Sequence, residues 1–189
     1  YHARGIAATI ELADKLNFTK NSNIVDIGCG LGGPARYFSK RFNCNVYGID
    51  ITEAFIKIGN HFNKLTEIDH QVKLLKGDGE NIPYQSEFFD GAVSQHVTMN
   101  IEDREQFFNE AFRVLKKGAI FGFSEHGLGT KGNPIFPLPW ADDENMSFLK
   151  TPEYTKSLLK KIGFKNIEII STGEKYISGY NSLLKKGQS

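Results

Sequence analysis

Apolar and polar positions along the chain follow two periods in turn, one typical of strands and one typical of helices. Short apolar runs are separated by stretches in which apolar residues recur every three or four positions. Six runs have strand character: NIVDIG, NVYGID, QVKLLKGD, FFDGAVS, AIFGFSE and FKNIEIIST. Strands that alternate with helices predict an α/β fold, with a doubly wound, mostly parallel sheet and helices on both faces.

The ends of the predicted helices are marked by residues that favour helix termini. Pro34 suits the first turn of a helix, where its missing N–H group breaks no hydrogen bond. Thr151 is a suitable N-cap for a helix that begins at Pro152 and ends at Gly163, and another helix is expected over about residues 102–115. Two more helices are predicted from their apolar positions, which are Ile6, Ile10, Ala13 and Leu16 in the first and Phe55, Ile56, Phe62 and Leu65 in the second.

Composition narrows the classes of protein that remain. A chain of 189 residues with 40% apolar and 24% charged residues is typical of one soluble domain, here spanning residues 1–189. The net charge of +1 gives no electrostatic reason to expect a nucleic acid or an anionic membrane as partner. The sequence has neither a long apolar span nor a signal-peptide pattern, and Cys29 and Cys44 lack metal-ligand spacing. We therefore expect a cytoplasmic protein with reduced cysteines.

A glycine-rich turn after the first strand allows two interpretations. Gly28-x-Gly30-x-x-Gly33 has the spacing of a turn that holds the pyrophosphate of a dinucleotide. Asp26-x-Gly28-x-Gly30-x-Gly32 places an acid before alternating glycines, which suits a nucleoside that carries an amino acid. Glycines allow the sharp turn and the close approach of a ligand in both cases. The first interpretation predicts an NAD-dependent oxidoreductase and the second a methyltransferase.

Acidic residues in and after the strands favour the second interpretation. Asp26 lies inside an apolar strand, where a buried carboxylate is costly unless a cation such as an ammonium group faces it. Asp78 follows the third strand, where it could accept from an adenine amino group while the Gly79 N–H donates to the ring. Asp50 could accept from the ribose hydroxyls of either ligand. Arg36 is the only basic residue of the turn, although a helix N-terminus can hold a pyrophosphate without one.

Five motifs in this order resemble the class I S-adenosylmethionine-dependent methyltransferases. They are VDIGCGLGG, GIDIT, GDGENIPY, FFDGAVSQHVTMNI and EAFRVLKKGAIFGFSE, and the resemblance runs from about residue 6 to 171. LGGPARY, SQHVTMNI and FPLPWADDENMSFL are similar to members that act on small molecules such as sarcosine, dimethylglycine, phosphoethanolamine, or quinone and tocopherol precursors. The resemblance implies a Rossmann-like fold and methyl transfer from S-adenosylmethionine to an amine or phenol-like acceptor.

The resemblance also implies which residues contact the cofactor. They are Asp26, Gly28, Cys29 and Gly30 around the methionine moiety, Asp50 and Ile51 at the ribose and adenine face, Asp78 and Gly79 at the adenine edge, and Gln95 closing the pocket. One position departs from the pattern, because phosphobase methyltransferases carry a functional histidine where this chain has Asn100. Phosphoethanolamine is therefore a doubtful substrate.

Two histidines follow predicted strands at the end where α/β sheets bind ligands. His96 and His126 are candidates for proton transfer or acceptor binding, although each could instead be a loop histidine bonded to backbone. We predict His96 as the catalytic base and Asn100 as a residue that orients the acceptor. The segment at about 126–150 is long for a connection and is interpreted as an active-site loop. In it, Phe136 and Trp140 are predicted to wall the acceptor pocket.

Three further interpretations bound the prediction. A cofactor-binding protein that has lost catalysis stays possible, because methyl transfer needs no obligatory nucleophile. Nucleic-acid methylation is disfavoured, since the sequence has neither an amino-base motif nor a basic face. The acidic run Asp142, Asp143 and Glu144 has no accompanying histidine, so we interpret it as a solvated turn and predict no metal.

The resemblance implies a seventh, antiparallel strand between the fifth and the sixth, and the chain has no obvious candidate for it. After FKNIEIIST, only Ile177, Tyr180, Leu183 and Leu184 recur at helical spacing, before Gly187. The sequence thus predicts a sheet that lacks its seventh strand, with the sixth strand facing an empty slot. We expect residues beyond Ser189, or a partner strand, to fill that slot in the natural protein.

Overall fold

The computed structural model describes residues 4–130 and 132–186. Five strands form one parallel sheet in the order β3-β2-β1-β4-β5. The strands are β1 (Asn23–Ile27), β2 (Asn45–Asp50), β3 (Val72–Lys76), β4 (Phe89–Gln95) and β5 (Leu115–Ser124). The helices are α1 (Ile6–Ala13), α2 (Gly33–Phe42), α3 (Glu53–Leu65), α4 (Arg104–Val114), α5 (Pro152–Ile162) and α6 (Gly173–Lys186). The predicted doubly wound α/β fold is confirmed.

Alternate residues of β1 enter two different apolar cores, one on each face of the sheet. Ile24 packs with Phe38 of α2 in the first core. Val25 packs with Phe107 and Phe108 of α4 in the second. A strand covered on both faces must be apolar at nearly every position, which explains why NIVDIG reads as a continuous apolar run. Asp26 is the exception within that run.

The strand order reverses direction beside β1, and this reversal positions the site. Chain connections run from β1 towards β3 on one side and from β4 to β5 on the other. The connections that follow β1 and β4 therefore run in opposite directions and leave a crevice at the carboxyl ends of these two strands. Open α/β sheets bind their ligands in such a crevice. The register places Asp26 of β1 between Gly48 of β2 and Val93 of β4, near the mouth of that crevice.

Helix α5 begins and ends where the residues at its termini predict. The Thr151 hydroxyl accepts from the Tyr154 backbone N–H at 3.2 Å. Gly163 ends α5 with a φ of 124°, a conformation that favours glycine. The apolar faces of α1 and α3 are less well predicted: Ile6, Ile10, Phe55, Phe62 and Leu65 are exposed, whereas Ala8, Thr9, Ala13, Ile56, Gly59 and Asn63 are buried.

The predicted sixth strand is wrong. Residues 164–172 form no strand, and Ile169 and Ile170 are exposed. An alternating apolar pattern becomes a strand only where a neighbouring strand offers backbone partners, and within residues 4–130 and 132–186 no strand lies beyond β5. The predicted C-terminal helix is present as α6, while Gly187 lies outside the described residues.

Candidate functional site

The glycine turn after β1 is held by backbone hydrogen bonds to β2. The N–H groups of Gly28 and Cys29 both donate to the Ile49 carbonyl, at 2.8 and 3.0 Å. Gly28 and Gly30 have φ values of 77° and 53°, which L side chains rarely adopt. A Cβ atom on Gly28 would lie 2.2 Å from Cγ2 of Val97, in the loop after β4. Glycine is therefore required at position 28 by both conformation and space.

Asp50, at the end of β2, closes the turn from the other side. Its Oδ2 atom accepts from the Gly30 N–H at 2.8 Å, and its Oδ1 atom accepts from the Thr52 N–H at 2.9 Å. The carboxylate thus orders the glycine turn and the start of α3 together. This ordering role comes in addition to the ribose contact that the sequence predicts, since each carboxylate oxygen can accept more than one hydrogen bond.

Asp26 is an acid buried within β1. Its side chain is 2% exposed, and Oδ2 has no hydrogen-bond partner among the described residues. Burial, and secondarily the charge of Asp50, raise the pKa of Asp26 to about 7. An unpaired carboxylate oxygen at the mouth of the crevice is suited to a positively charged ligand group, as the sequence predicts.

The predicted adenine contacts lie at the ends of β2 and β3. Ile51 is 70% exposed, so its side chain offers an open apolar surface. Asp78 is exposed, and its Oδ1 atom accepts from the Glu80 N–H at 2.9 Å. Gly79 packs closely, since a Cβ atom there would lie 2.8 Å from the Phe107 ring. We call this group, from the glycine turn to Gly79, the cofactor half of the site.

Gln95 lies at the boundary of the cofactor half. Its side-chain oxygen accepts from the Thr9 hydroxyl of α1 at 3.1 Å. Its side chain is buried, and its amide nitrogen has no partner in the part of the chain that the structure describes. That nitrogen is therefore a buried donor that the described residues leave unsatisfied.

Aromatic and imidazole rings meet at the carboxyl ends of β4 and β5. The His96 Nε2 atom lies 2.8 Å from the Tyr176 hydroxyl of α6, and the rings of His96 and His126 are 4.8 Å apart. The His126 ring stacks on Trp140 at 4.6 Å with an angle of 8° between the rings. The Arg4 guanidinium lies over the Tyr176 ring at 5.5 Å. The structure thus brings three of the predicted acceptor residues together.

We call the loop after β4, residues 125–150 and α6, together with Arg104 and Thr155, whose side chains bond to them, the acceptor half. Not every predicted residue joins its ring cluster. Asn100 is exposed on a short 3₁₀ turn, where its backbone N–H donates to Val97. Phe136 is half-buried and makes no ring contact with the cluster among the described residues. In the acidic run the side chains are exposed, and Asp143 accepts from the Asn145 N–H at 2.8 Å.

Sequence reasoning missed three residues of the acceptor half. Tyr176 lies 80 positions from His96, and a tyrosine on an amphipathic helix carries no signal of such a contact. Arg104 and Glu125 form a buried ion pair at 2.6 Å. Their signal is local and weak: Arg104 is a cation in the first turn of α4, where acids are favoured, and Glu125 follows a strand directly.

A cavity of about 310 Å³ opens at the opposite end of the sheet. It lies beside the amino ends of β1, β4 and β5 and is lined by Phe18, Ser22, Asp90, Ala119 and Ile120, among others. Asp90 there is paired with Lys116 at 2.6 Å and accepts from the Asn23 N–H. Ligands of open α/β sheets bind at the carboxyl ends, so this cavity is separate from the candidate site.

The chain belongs to the Methyltransferase domain family, whose sequence profile matches residues 25–123. The matched residues run from β1 to the end of β5, so they contain the whole cofactor half. The resemblance to class I methyltransferases is thereby confirmed. The 126–150 segment, α5 and α6 lie outside the match.

Two similar relatives and one solved structure are methyltransferases by name. The sterol 24-C-methyltransferase of Candida albicans is 32% identical over 60% of this chain and 30% of its own length. The sarcosine/dimethylglycine N-methyltransferase of Halorhodospira halochloris is 29% identical over 78% of this chain and 53% of its own length. A structure of Haemonchus contortus phosphoethanolamine N-methyltransferase 2, with phosphomonomethylethanolamine and S-adenosylhomocysteine, has a TM-score of 0.84 at 20% identity, over 97% of this chain and 44% of its own length.

The chain therefore spans about a third to a half of the length of these proteins. The structural match shows a shared fold. None of the helices within the described residues is long and apolar enough to cross a membrane.

Proposed function

We propose that this chain binds S-adenosylmethionine and belongs to a methyltransferase that acts on a small molecule. The observation that carries the proposal is the buried Oδ2 atom of Asp26, which has no partner in the described residues and lies in the strand that leads directly into the glycine turn. An ammonium group would neutralise this carboxylate, and a pyrophosphate would repel it. Membership of the methyltransferase family supports the same ligand and argues against the NAD-dependent alternative.

The remaining residues of the cofactor half fit the other parts of S-adenosylmethionine. Gly30 has no atom within 4 Å of where a Cβ would lie, which leaves open space for a ligand beside the turn. The Asp50 carboxylate is suited to the ribose hydroxyls, and exposed Ile51 to the adenine face. Asp78 and the Gly79 N–H would contact the adenine edge.

In the acceptor half, His96 would accept a proton from the acceptor. S-adenosylmethionine supplies an electrophilic methyl group when bound, so this chain has to orient a nucleophile and remove its proton. The Tyr176 hydroxyl, at 2.8 Å from His96 Nε2, orients the imidazole ring, while His126 and Trp140 form an aromatic wall for the acceptor. An amine or a phenol suits both the imidazole base and the aromatic wall.

Two buried cysteines support the cytoplasmic location expected from composition. Cys29 and Cys44 are unpaired and buried, and burial raises the pKa of both thiols. Protonated, inaccessible thiols act as small apolar side chains, which suits a reducing compartment.

Cofactor binding is tested by calorimetric titration with S-adenosylmethionine, S-adenosylhomocysteine and NAD. We expect the first two to bind and NAD not to bind. Asp50→Ala should weaken binding by about 1.5–3 kcal/mol, or about 10- to 150-fold in Kd, because it removes acceptors at both the ligand and the turn. Asp69→Ala, at an exposed position away from the crevice, is the control and should bind as wild type. Tight NAD binding without S-adenosylmethionine binding would overturn the assignment.

Catalysis is tested with a panel of sarcosine, dimethylglycine, a phenol and a sterol as methyl acceptors. His96 has a φ of 58°, so His96→Asn is preferred to alanine because asparagine tolerates this backbone conformation. Turnover of any accepted substrate should fall at least about 100-fold, with cofactor Kd unchanged. Wild-type turnover by this variant across pH 6 to 9 would make His96 structural. Cofactor binding without turnover of any acceptor would favour a non-catalytic binding protein.

A further inference from the structure

Arg104 is an unusual residue for the place it occupies. It is the first residue of α4, close to the positive end of the helix dipole, and its side chain is 2% exposed. Cations are disfavoured at helix N-termini, and a buried guanidinium is costly to desolvate. A residue held against both effects must be compensated by its contacts.

The guanidinium of Arg104 contacts four separate segments of the chain. Its Nη1 atom donates to Glu125 at 2.6 Å and to the Thr155 hydroxyl of α5 at 3.1 Å. Its Nη2 atom donates to the backbone carbonyls of Thr98 at 3.0 Å and Phe148 at 3.1 Å. Glu125 in turn accepts from the hydroxyls of Thr98 and Thr155. One ion pair therefore joins the loop after β4, the end of β5, the 126–150 segment and α5.

Three of these segments lead directly to the ring cluster. Thr98 is two residues from His96, and Glu125 directly precedes His126. Ser147, next to Phe148, accepts from the Trp140 ring nitrogen at 3.2 Å. The Phe148 N–H also donates to Met99 at 2.8 Å, which ties the 126–150 segment to the loop after β4 a second time.

We propose that Arg104 and Glu125 are positioning residues that align the loop after β4, the end of β5 and the 126–150 segment, and so set the geometry of the acceptor half. The proposal deepens the proposed function, because the residues that it aligns are the proposed acceptor-binding residues. The pair makes no hydrogen bond to a residue of the cofactor half, so we expect its effect to be larger in the acceptor half.

A second ion pair on the same helix provides a matched comparison. Arg113 donates to Glu110 at 2.7 Å and to the carbonyls of Ile82 and Tyr84, and Glu110 accepts from the Ile82 N–H at 2.8 Å. These contacts hold the loop that follows Gly79, next to the cofactor half. A variant of the Arg104–Glu125 pair should therefore disturb mainly the acceptor half, and a variant of the Arg113–Glu110 pair should disturb mainly cofactor binding.

The experiment uses Trp140, the only tryptophan in the chain, as a reporter of the acceptor half. Glu125→Gln and Arg104→Lys are conservative in size, and far-UV circular dichroism checks their fold. In the Glu125 variant the acrylamide quenching constant of Trp140 should rise at least about twofold, while the Kd for S-adenosylhomocysteine stays within about threefold of wild type. Arg104→Lys keeps the charge but cannot reach four acceptors, so its quenching should be intermediate.

Glu110→Gln is the control and should leave Trp140 quenching unchanged while it raises the Kd for S-adenosylhomocysteine several-fold. With any acceptor that wild type methylates, Glu125→Gln should lower kcat/KM at least about tenfold, and Glu110→Gln should act mainly through the cofactor.

Unchanged Trp140 quenching in both acceptor-half variants would overturn the proposal. So would equal effects of Glu125→Gln and Glu110→Gln on cofactor Kd. Because quenching is measured without cofactor, a failure of the proposed cofactor assignment is seen separately, as absent binding in wild type.

Discussion

The two halves of the candidate site are held together by different kinds of contact. In the cofactor half, backbone groups of the glycine turn bond to the Ile49 carbonyl and the Asp50 carboxylate, all within residues 28–52. In the acceptor half, side chains meet across long separations: 51 residues from Arg104 to Thr155 and 80 residues from His96 to Tyr176. The family profile covers the first half fully and only the loop after β4 and Arg104 in the second.

This difference has a physical cause and a functional consequence. Backbone contacts around glycines depend on a few φ values, so one chain geometry serves any protein that binds the same ligand. Side-chain contacts between distant loops can be exchanged without disturbing the sheet, so they can vary with the acceptor. We therefore expect cofactor binding to respond to changes in the turn, and acceptor choice to respond to the loops and the 126–150 segment.

The largest expected effect is at Gly28, where the two halves touch. Gly28→Ala adds a Cβ atom 2.2 Å from Val97 Cγ2 at a residue with a φ of 77°. Left-handed strain of about 1–2 kcal/mol and overpacking of about 1–3 kcal/mol should together lower the free energy of unfolding by about 2–5 kcal/mol. Urea denaturation measures this change.

Two neighbouring glycines separate strain from overpacking. Gly30→Ala has a φ of 53° but open space around it, so it should lose only the strain contribution of about 1–2 kcal/mol. Gly33→Ala has neither positive φ nor a close neighbour and should be as stable as wild type. Equal losses at positions 28 and 30 would show that contact between the halves does not matter at this turn.

A smaller effect, with a defined pH dependence, is expected for Asp26. Its pKa of about 7 in the folded protein lies above the unfolded value of about 3.9, so the folded state binds the extra proton between these pH values. The contribution of Asp26 to the free energy of unfolding should therefore fall as pH rises from about 4 to about 7, and level off above that. Asp26→Asn should flatten this dependence and raise the free energy of unfolding at pH 8 by about 1–3 kcal/mol.

The same carboxyl group should link cofactor binding to proton release. An ammonium group favours the carboxylate form, so S-adenosylhomocysteine should release a proton near pH 7, measured by calorimetry in buffers of different ionisation enthalpy. Methylthioadenosine, which lacks the amino acid, is the control and should release none. Asp26→Asn should bind S-adenosylhomocysteine more weakly and without proton release. Equal proton release with both ligands would argue against an ammonium group at Asp26.

The smallest effect is expected at the N-terminus of α5, which carries Thr155 of the acceptor half. Thr151→Ala removes the hydroxyl that accepts from the Tyr154 N–H, and should cost about 1 kcal/mol of unfolding free energy. Thr52→Ala is the matched control, because Thr52 precedes α3 without a side-chain capping bond. A loss at Thr52 as large as that at Thr151 would mean that the capping bond contributes little.

Several elements could be predicted because their signals are local. Pro152 and Gly163 bound α5 through their own backbone preferences, and the run around Val25 needed only its apolar character to predict a buried strand. FKNIEIIST could not be predicted correctly, because its alternating pattern says nothing about whether a neighbouring strand exists. Ile6 and Ile10 were predicted on the apolar face of α1 but are exposed, for a similar reason. Helical spacing predicts an apolar face but not which part of the protein covers it.

By itself the sequence determined the doubly wound sheet, the glycine turn and the family, since each depends on backbone preference and apolar period within short stretches. Only the tertiary structure decided how the acceptor half is built. It placed Tyr176 on His96, stacked His126 on Trp140 and buried Arg104 against Glu125. These pairs form because parallel strands end at one edge of the sheet and bring distant segments of the chain together there. The local sequence around each of these residues gives no indication of which residue it will contact.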